Sequence, residues 1–592
     1  MTFEIACVFG IIAVLIILFV TEKLPIDVIA FGLMVVLMVT ELVTPQQGIM
    51  GFANPATITI LSLMLIGVGL EQSGAITQLG KRLEPLLLRP QWMSISLLMI
   101  IVAFVSAFIS TTAVVIVFLR ILVEMSRRLE LPLSKFLIPL SFAGILGGSC
   151  SLMGTSTNLL VNSVAGGLGV EPFGLFEFSG IGALLFVAAL VYMVIVGRHL
   201  LPDRKKKNEL TDSYNIKNYL LTVKINEKSQ LIGQRVEESI FGNEVEIDLL
   251  EVRHSVRRPR FAVQSEEFRE GDVLLIKADA DHLQEILKDE GLSQLSELGD
   301  ADDDNLNTQE TILCEAMVGP NSKLLGKSLS KVGIKQDYAA IPLAMRQGKK
   351  LLQKGLNRVK IEVGDILLMQ VRKGDFKRFY QSPDFIVLEE HIELNEKNNK
   401  RYLALGILVG VVLLAAFNIL PIMIAAMTGA FMMFLTRCVN LKNAYQEIDW
   451  SIIFLLAGMI PLGSAMHNTG ADQLVADTFV QITGKASPEI FIAAMFGVTV
   501  LMSGFISNNA TAILIAPIAI SVAQQLDLPA QPFLLAVMFA ANMSFFTPIG
   551  YQTNTLIFGP GNYKFRDFMV VGGILTVIVW TLATLLIPWF YF

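Results

Sequence analysis

The chain has 592 residues, of which 53% are hydrophobic and only 17% charged, and its mean hydropathy is +0.60. Ordinary soluble domains carry about 25% charged residues, so this composition favours a membrane protein. The net charge of −6 is small for this length, and the basic residues gather at segment ends and mid-chain. We therefore expect no nucleic acid among its partners.

Charge divides the chain into three blocks: an apolar block to about residue 200, a charged block from 201 to 400, and a second apolar block to the end. Within the apolar blocks, long runs contain no charged residue. A membrane span needs about 20 mostly apolar residues, so each run can hold one span or a hairpin of two shorter helices. The uncharged runs lie between Arg89 and Arg120, Lys135 and Glu171, Arg401 and Arg437, Glu489 and Asp527, and Asp527 and Lys564.

The two apolar blocks align with each other at an almost constant offset, which indicates an internal duplication. Gly74 matches Gly470 at a distance of 396 positions, and Ser110 matches Ser507 at 397. One inserted residue accounts for the difference. The sequence therefore predicts two membrane repeats, 1–200 and 401–592.

The positions of basic residues predict that the two repeats are inverted. Basic loops flank both ends of the segment at about 91–124, so it forms a re-entrant hairpin from the cytoplasmic side. The matching hairpin, about 488–525, then has both ends outside. Five spans and one hairpin per repeat give this result and place the N-terminus and the C-terminus outside. We expect a multi-pass protein of the cell (inner or plasma) membrane, in contact with its lipid.

Each hairpin has a polar tip, and each is followed by a discontinuous helix that carries a second polar cluster. The tips are Ser110-Thr111-Thr112 and Ser507-Asn508-Asn509. The broken helices, at about 136–165 and 530–558, contain Gly154-Thr-Ser-Thr-Asn158 and Gly550-Tyr-Gln-Thr-Asn554. Polar groups at membrane depth are costly unless they line a cavity, and paired interrupted segments indicate a transporter's binding site.

These four clusters contain no Lys, Arg, Asp or Glu, so recognition must use helix dipoles, hydroxyls and amides. Bound Na⁺ would cancel part of the charge of an anion. The pattern favours a small, oxygen-rich divalent anion such as sulfate or a dicarboxylate. The alternative is that Gly, Ser and Thr only pack membrane helices, which is common. Four clusters in register across an inverted duplication favour a binding site.

The charged middle block contains a second duplication, with an offset of 93 residues. Glu270-Gly-Asp-Val-Leu-Leu275 matches Val363-Gly-Asp-Ile-Leu-Leu368. Each copy predicts a strand after a Gly-Asp turn, followed by an amphipathic stretch. We expect two small α+β domains, 208–296 and 304–390, joined by an acidic linker at 297–307. The basic run at 205–207 places the block, residues 201–400, in the cytoplasm.

The membrane portion resembles the divalent anion/sodium symporter family, whose members carry a Ser-Asn-Thr hairpin tip in each half. The turns Gly154-Thr-Ser-Thr-Asn158 and Thr547-Pro-Ile-Gly-Tyr-Gln-Thr-Asn554 are similar to the unwound turns of that family. The resemblance implies an α-helical polytopic fold with inverted repeats, a homodimer of protomers with scaffold and transport domains, and an elevator-like movement.

The resemblance also implies the residues of the site. One Na⁺ would be held by each hairpin and the turn after it, with no organic cofactor. The first sodium would use Ser106, Ser110, Thr111 and Gly154, and the second Ser503, the Ile506 carbonyl, Asn508 and Gly550. The anion would contact both tips and the ends of both turns: Ser110, Thr111, Thr112, Thr157, Asn158, Ser507, Asn508, Asn509, Thr553 and Asn554.

Two positions depart from the family pattern. The first tip has Thr111 where the family usually has Asn, and the second tip ends in Asn509 rather than Thr. The variant second turn and the large middle insert resemble the sulfate-transporting branch more than the citrate or succinate branch. The resemblance thus implies sodium-coupled symport of sulfate, with a C4-dicarboxylate or citrate transporter as the nearest alternative.

The paired middle domains resemble the ligand-binding C-terminal domains of TrkA-type potassium-transport regulators. The match rests on the Ile232-Gly233 and Leu325-Gly326 starts and on the two Gly-Asp turns. It implies domains that dimerise and sometimes bind a small regulatory ligand. A dimerisation module without ligand stays open. So do a regulated ion channel and a nutrient sensor that no longer transports. No pairing of a nucleophile with a base suggests an enzyme.

Overall fold

The protein is described here from a computed structural model. The structure describes residues 3–21, 24–75, 90–129, 131–204, 220–239, 248–253, 259–261, 267–277, 291–294, 311–320, 322–329, 332, 334–348, 350–353, 356, 359–380, 382–388, 400–417, 419–440, 444–445, 448, 450–483 and 487–592. The predicted linker at 297–307 and the first amphipathic stretch, 281–288, lie outside these ranges.

Among the described residues of the first apolar block, all regular secondary structure is helical. Two breaks matter for function, because they separate the arms of the predicted hairpin (α5 and α6) and the halves of the predicted broken helix (α7 and α8). The last helix, α9, continues through a π-turn at Met193–Gly197 to Leu200. The helices are α1 Phe3–Thr21, α2 Ile26–Val39, α3 Pro45–Ile49, α4 Pro55–Gln72, α5 Gln91–Ser106, α6 Thr111–Arg128, α7 Leu137–Gly148, α8 Ser156–Gly167 and α9 Ser179–Tyr192.

The second apolar block repeats this order after the middle domains. Its hairpin arms (α16 and α17) have the same lengths as those of the first block, 16 and 18 residues. Its broken helix consists of α18 and α19. The helices are α12 Arg401–Ala416, α13 Ile422–Leu435, α14 Trp450–Thr469, α15 Ala471–Thr483, α16 Pro488–Ser503, α17 Asn508–Gln525, α18 Gln531–Asn542, α19 Gln552–Phe558 and α20 Phe565–Tyr591.

The duplication extends to backbone conformation. Gly74 and Gly470 both have left-handed backbones, with φ of 72° and 75°. The non-glycine residues Glu41 and Arg437, also 396 positions apart, have φ of 57° and 55°. Residues with a side chain rarely adopt positive φ, so the same unusual angle at matched positions is strong evidence of a shared fold. The two blocks therefore share unusual backbone conformations at matched positions.

The copies exchange their packing partners. Helix α2 packs on α14, and the matching helix of the second copy, α13, packs on α4. In the same way α8 packs on α17, and α19 packs on α6. Each repeat therefore completes its packing against the other, as expected of halves related by an approximate two-fold axis.

By length and composition alone, three helices within the described residues are long and apolar enough to cross a membrane: Ser179–Leu200, Ile452–Thr469 and Phe565–Tyr591. Further apolar helices are shorter, at 10–17 residues, and they include the first arm of each hairpin. The hairpins were predicted to have short arms because each must return to its own side. Five spans and one hairpin per repeat stays a prediction.

The middle block forms two five-stranded antiparallel sheets of identical topology. The strand orders are β3-β2-β4-β1-β5 and β8-β7-β9-β6-β10, which the 93-residue offset superimposes. An irregularity in strand pairing also recurs: it lies between Leu249 and Glu251 in the first sheet and between Pro342 and Ala344 in the second. The strands are β1 Leu220–Ile225, β2 Asp248–Arg253, β3 Pro259–Phe261, β4 Val273–Lys277, β5 Leu292–Gln294, β6 Thr311–Val318, β7 Ala340–Gln347, β8 Lys350–Leu352, β9 Ile366–Arg372 and β10 Phe385–Val387.

Two short helices accompany the second sheet: α10, Ile334–Asp337, and α11, Lys373–Tyr380. This sheet packs directly on the membrane helices. The turn at Gly364 lies against the Thr555 backbone in α19, and Ile366 lies beside Gly559 just after that helix. The Arg120 guanidinium of hairpin arm α6 lies 5.5 Å from the ring centre of Tyr380. The second middle domain thus touches both the first hairpin and the second broken helix.

Gly364 and Gly271 offer a matched test of this contact, because both begin Gly-Asp turns with φ of 83° and 81°. A Cβ on Gly364 would lie 2.8 Å from the Thr555 carbonyl oxygen, whereas one on Gly271 meets no described atom within 4 Å. Both alanine variants bear the left-handed cost of about 1–2 kcal/mol. We expect Gly364→Ala to lower the thermal unfolding midpoint further than Gly271→Ala and to expose the second sheet to protease. Equal effects would contradict the contact.

Candidate functional site

The first hairpin tip and the first broken helix form a compact cluster of oxygen atoms. The Ser106 hydroxyl lies 3.0 Å from the Thr111 hydroxyl and donates to the Gly144 carbonyl at 2.7 Å. The Thr111 hydroxyl is also 3.2 Å from the Gly154 carbonyl. Ser106 and Thr111 are buried. Three of the four residues predicted for the first sodium therefore meet, together with Gly144, which was not predicted.

The second hairpin and broken helix repeat this arrangement at matched positions. The Ser503 hydroxyl donates to the Ala541 carbonyl at 2.6 Å, as Ser106 does to Gly144. A side chain on Gly550 would collide with three oxygens around it, since its Cβ would lie 2.3 Å from Ser544 Oγ, 2.8 Å from Thr547 Oγ1 and 3.0 Å from the Ser503 carbonyl. Ser503 and Gly550 meet, as predicted for the second sodium.

The two clusters obtain their hydroxyls from different elements. In the first cluster this hydroxyl belongs to Thr111 on the hairpin. Its Oγ1 would lie 2.3 Å from a Cβ built on Gly148. In the second, the matched residues are Asn508 on the hairpin and Ser544 on the broken helix. The Ser544 hydroxyl is buried and has no hydrogen-bond partner among the described residues. A buried polar atom of this kind indicates a bound ion or water.

The chemistry of both clusters fits a small hard cation. Every group is a neutral oxygen, from a carbonyl or a hydroxyl, and unwound carbonyls are what coordinate Na⁺ in broken-helix sites. Gly154 is the counterpart of Gly550, and its own Cβ would lie 2.5 Å from the Gly148 carbonyl and 2.6 Å from that of Ser106. Both glycines therefore allow a close approach of oxygen atoms that a side chain would prevent.

The remaining residues predicted for these two cation sites lie at the tips. Ser110 and Ser507 are the N-cap residues of α6 and α17, with similar backbone angles (φ −45°, ψ 124° and φ −49°, ψ 129°). Neither makes a side-chain cap hydrogen bond. The Thr111 N–H, the first of α6, bonds to the Gly154 carbonyl at 3.3 Å, and the N-terminal dipole of each 18-residue helix favours an anion. Ile506 and Asn508 are half-buried beside Ser507.

The two halves meet through polar contacts that follow the duplication. Thr112 donates to Gln552 Oε1 at 3.3 Å, and the matched pair joins Ser156 to Asn509 Oδ1 at 3.3 Å. Thr155 and Tyr551, which occupy the same position in the two repeats, lie against each other at 3.2 Å. Matched residues of two-fold copies can touch only on the axis. The axis therefore passes between the starts of α8 and α19.

The ten residues predicted to contact the anion fall into two groups. The first group is accessible at the hairpin tips and consists of Ser110, Thr112, Ser507, Asn508 and Asn509. Ser110 is exposed and the other four are half-buried. The second group is buried and bonded within the protein: Thr111, Thr157, Asn158, Thr553 and Asn554. Thr157, for example, donates to Asn509 Oδ1 at 2.8 Å.

Several residues of the site were not predicted. Ser151 donates to the Ala107 carbonyl, and its counterpart Thr547 donates to the Gly504 carbonyl at 2.8 Å, so each holds a turn to a hairpin tip. Their spacing of 396 positions could have shown them. Ser141 and Asn542 bridge the repeats, and no duplicated partner marks them in the sequence.

Gly154 provides a test of the first cluster. Because an added Cβ has no room there, we expect Gly154→Ala to destabilise the protein by roughly 1–3 kcal/mol, as overpacking does. Gly167→Ala is the control, since its Cβ would find only an ordinary contact, 3.6 Å from Ile460. The measurement is the thermal unfolding midpoint of each purified variant in detergent. If both midpoints match that of the unmodified chain, the space around Gly154 is not as tight as described.

The chain is similar to known transporters over nearly its whole length. A family model described as "Citrate transporter" matches residues 16–495 and 464–592. The chain is 36% identical to "Uncharacterized transporter sll0640" of Synechocystis sp., over 98% of this chain and 96% of that protein. It is 26% identical to the "Putative sulfur deprivation response regulator" of Chlamydomonas reinhardtii, over 92% and 95% of the two chains. It is 28% identical to "Probable sodium/sulfate cotransporter 3" of the same organism, over 51% of this chain and 34% of that protein.

Proposed function

The chain belongs to the citrate transporter family, and from this premise we propose that it is a sodium-coupled symporter of a small divalent anion, with sulfate as the substrate. The single observation that carries the proposal is the pair of matched oxygen clusters beside two helix N-termini that lack a side-chain cap hydrogen bond. Relatives named as sodium/sulfate cotransporters support the choice of both ions.

The two clusters suit two Na⁺ ions. Ser106, Thr111 and the carbonyls of Gly144 and Gly154 would hold the first. The second would be held by Ser503 and the Ala541 carbonyl, the counterparts of Ser106 and Gly144, together with Asn508 and the hydroxyls of Ser544 and Thr547 beside Gly550. Two monovalent cations and one divalent anion form a neutral load. That matters because moving an uncompensated charge through the bilayer is costly.

The anion would lie between the tips, near the two-fold axis. There the N-termini of α6 and α17 would supply partial positive charge. Ser110, Thr112, Ser507, Asn508 and Asn509 supply accessible hydroxyls and amides. Since every donor is neutral, binding would depend on the sodium ions for charge balance, which couples the two substrates.

We propose that the substrate site moves as one body past a scaffold, in an elevator-like step. The hairpins and broken helices pack mainly among themselves: α5 on α7, α16 on α18 and α8 on α17. The first helices form a second group, in which α2 packs on α14 and α13 on α4. Such a division supports a transport domain and a scaffold domain. The scaffold would form a homodimer in the membrane, with both chain termini outside.

The middle domains, 208–296 and 304–390, would lie in the cytoplasm as regulatory or dimerisation modules of the TrkA C-terminal type. Their repeated strand order supports two copies of one domain. The contact of Gly364 with Thr555 would let a change in the second domain reach the second broken helix. A small regulatory ligand bound to these domains could act by this route.

A C4-dicarboxylate such as succinate, or citrate, is the second candidate, and the description of the matching family model favours citrate. Competition for uptake distinguishes the two. In proteoliposomes with an inward Na⁺ gradient, we expect uptake of radiolabelled sulfate, inhibited by thiosulfate and molybdate and not by succinate. Uptake must vanish when potassium replaces sodium. Sulfate uptake that is independent of the sodium gradient would overturn the assignment. So would uptake that succinate inhibits and that thiosulfate and molybdate do not.

Asn508 tests the site itself. Its half-buried amide lies at the tip of the second hairpin, where it would face both sodium and the anion. A hydrogen bond to a charged group contributes about 1.5–3 kcal/mol, so we expect Asn508→Ala to lower sodium-dependent uptake by at least about tenfold. Asn162→Ala is the control, because that buried amide bonds within its own repeat, to Phe173. Normal uptake by Asn508→Ala would remove the residue from the site.

A further inference from the structure

Each unwound turn is held closed by one buried asparagine. Asn158 Nδ2 donates to the carbonyls of Ser151 at 2.8 Å and Gly148 at 3.4 Å. Asn554 Nδ2 donates to those of Ser544 and Thr547, both at 3.1 Å. Both asparagines are at most 1% exposed. Each amide therefore ties together the two ends of the turn that carries a sodium-site glycine.

The oxygen of each asparagine is bonded to the opposite repeat. Asn542, the last residue of α18, donates to Asn158 Oδ1 at 2.7 Å. Ser141, in the middle of α7, donates to Asn554 Oδ1 at 2.7 Å and lies 2.8 Å from the Thr553 hydroxyl. Ser141 and Asn542 are fully buried. The first turn is thus oriented by the second repeat, and the second turn by the first.

These two links do not come from the duplication. At the 397-residue offset, Met538 stands where the first repeat has Ser141, and Ile145 stands where the second repeat has Asn542. Apolar residues satisfy the packing at those positions. A buried hydroxyl and a buried amide at unmatched positions, both donating to the turn asparagine of the other repeat, therefore require their own explanation.

We propose that Ser141 and Asn542 are positioning residues that couple the two sodium sites across the repeat boundary. This rests on the proposed sodium symport. Sodium bound at one turn fixes its backbone, and the cross-repeat bond fixes the asparagine of the other turn before its own ion arrives. Binding that orders a shared element lowers the ordering cost for the next ligand, which appears as positive cooperativity.

The test is the sodium dependence of sulfate uptake by the full chain in proteoliposomes. The unmodified protein should give a Hill coefficient approaching about 2, the limit set by two coupled sites. Ser141→Ala removes a single oxygen and should lower the coefficient toward about 1, with half-maximal uptake at a higher sodium concentration. Asn542→Ala should do the same. The maximal rate at saturating sodium should change less than about twofold, because neither side chain reaches a substrate.

Matched controls distinguish coupling from general damage. The Ser149 hydroxyl is fully buried but bonds to the Ile145 carbonyl of its own helix, and Asn162 bonds within its own repeat. Ser149→Ala and Asn162→Ala should keep the normal Hill coefficient. If Asn542→Ala fails to fold, Ser141→Ala decides the question alone. A normal coefficient in Ser141→Ala would overturn the proposal while leaving symport intact.

A second measurement separates this inference from the function on which it rests. Sodium binding is followed without transport, as the rise of the thermal unfolding midpoint with sodium concentration in detergent. Cooperative stabilisation that Ser141→Ala abolishes would support the coupling even if no sulfate entered the vesicles. Absence of sodium-dependent stabilisation in the unmodified chain would overturn both the coupling and the sodium symport.

Discussion

The structure depends on one constraint: backbone N–H and C=O groups in apolar surroundings must have partners. Both broken helices leave carbonyls without helical partners at the end of their first half. Asn158 and Asn554 donate to these carbonyls from seven and ten residues further along the chain. Because the side-chain Nδ2 group of each asparagine bonds to the turn, the remaining oxygens around Gly154 and Gly550 can face an ion. The geometry of the proposed sodium sites would thus follow from how the helices end.

There is also a physical reason for the absence of charged residues from the four polar clusters. A fixed cation would bind the anion in either state of the transporter, whether or not sodium was present. Hydroxyls, amides and helix N-termini bind weakly by themselves and leave the balance of charge to a mobile ion. In the proposed symport, coupling would require no separate gate, because an anion without its sodium ions would remain an uncompensated charge.

Sequence patterns could predict the parts of the fold that charge and duplication mark. An uncharged run with basic ends predicted the first hairpin, the duplication predicted the second, and the Gly-to-Asn clusters predicted both turns. Ser141 could not be predicted, because a single serine in an apolar helix is usually a packing residue and its counterpart is Met538. Which clustered residues bond inward, as Asn158 does, also depends on partners that are remote in the sequence.

The Thr155–Tyr551 pair on the axis has an evolutionary consequence. A dimer of identical halves must place the same side chain on both sides of its axis, so a threonine could meet only a threonine there. A threonine hydroxyl can face a tyrosine phenol there only in a chain whose two copies can differ in sequence. The covalent joining of the two repeats therefore allows the centre of the molecule to be unequal.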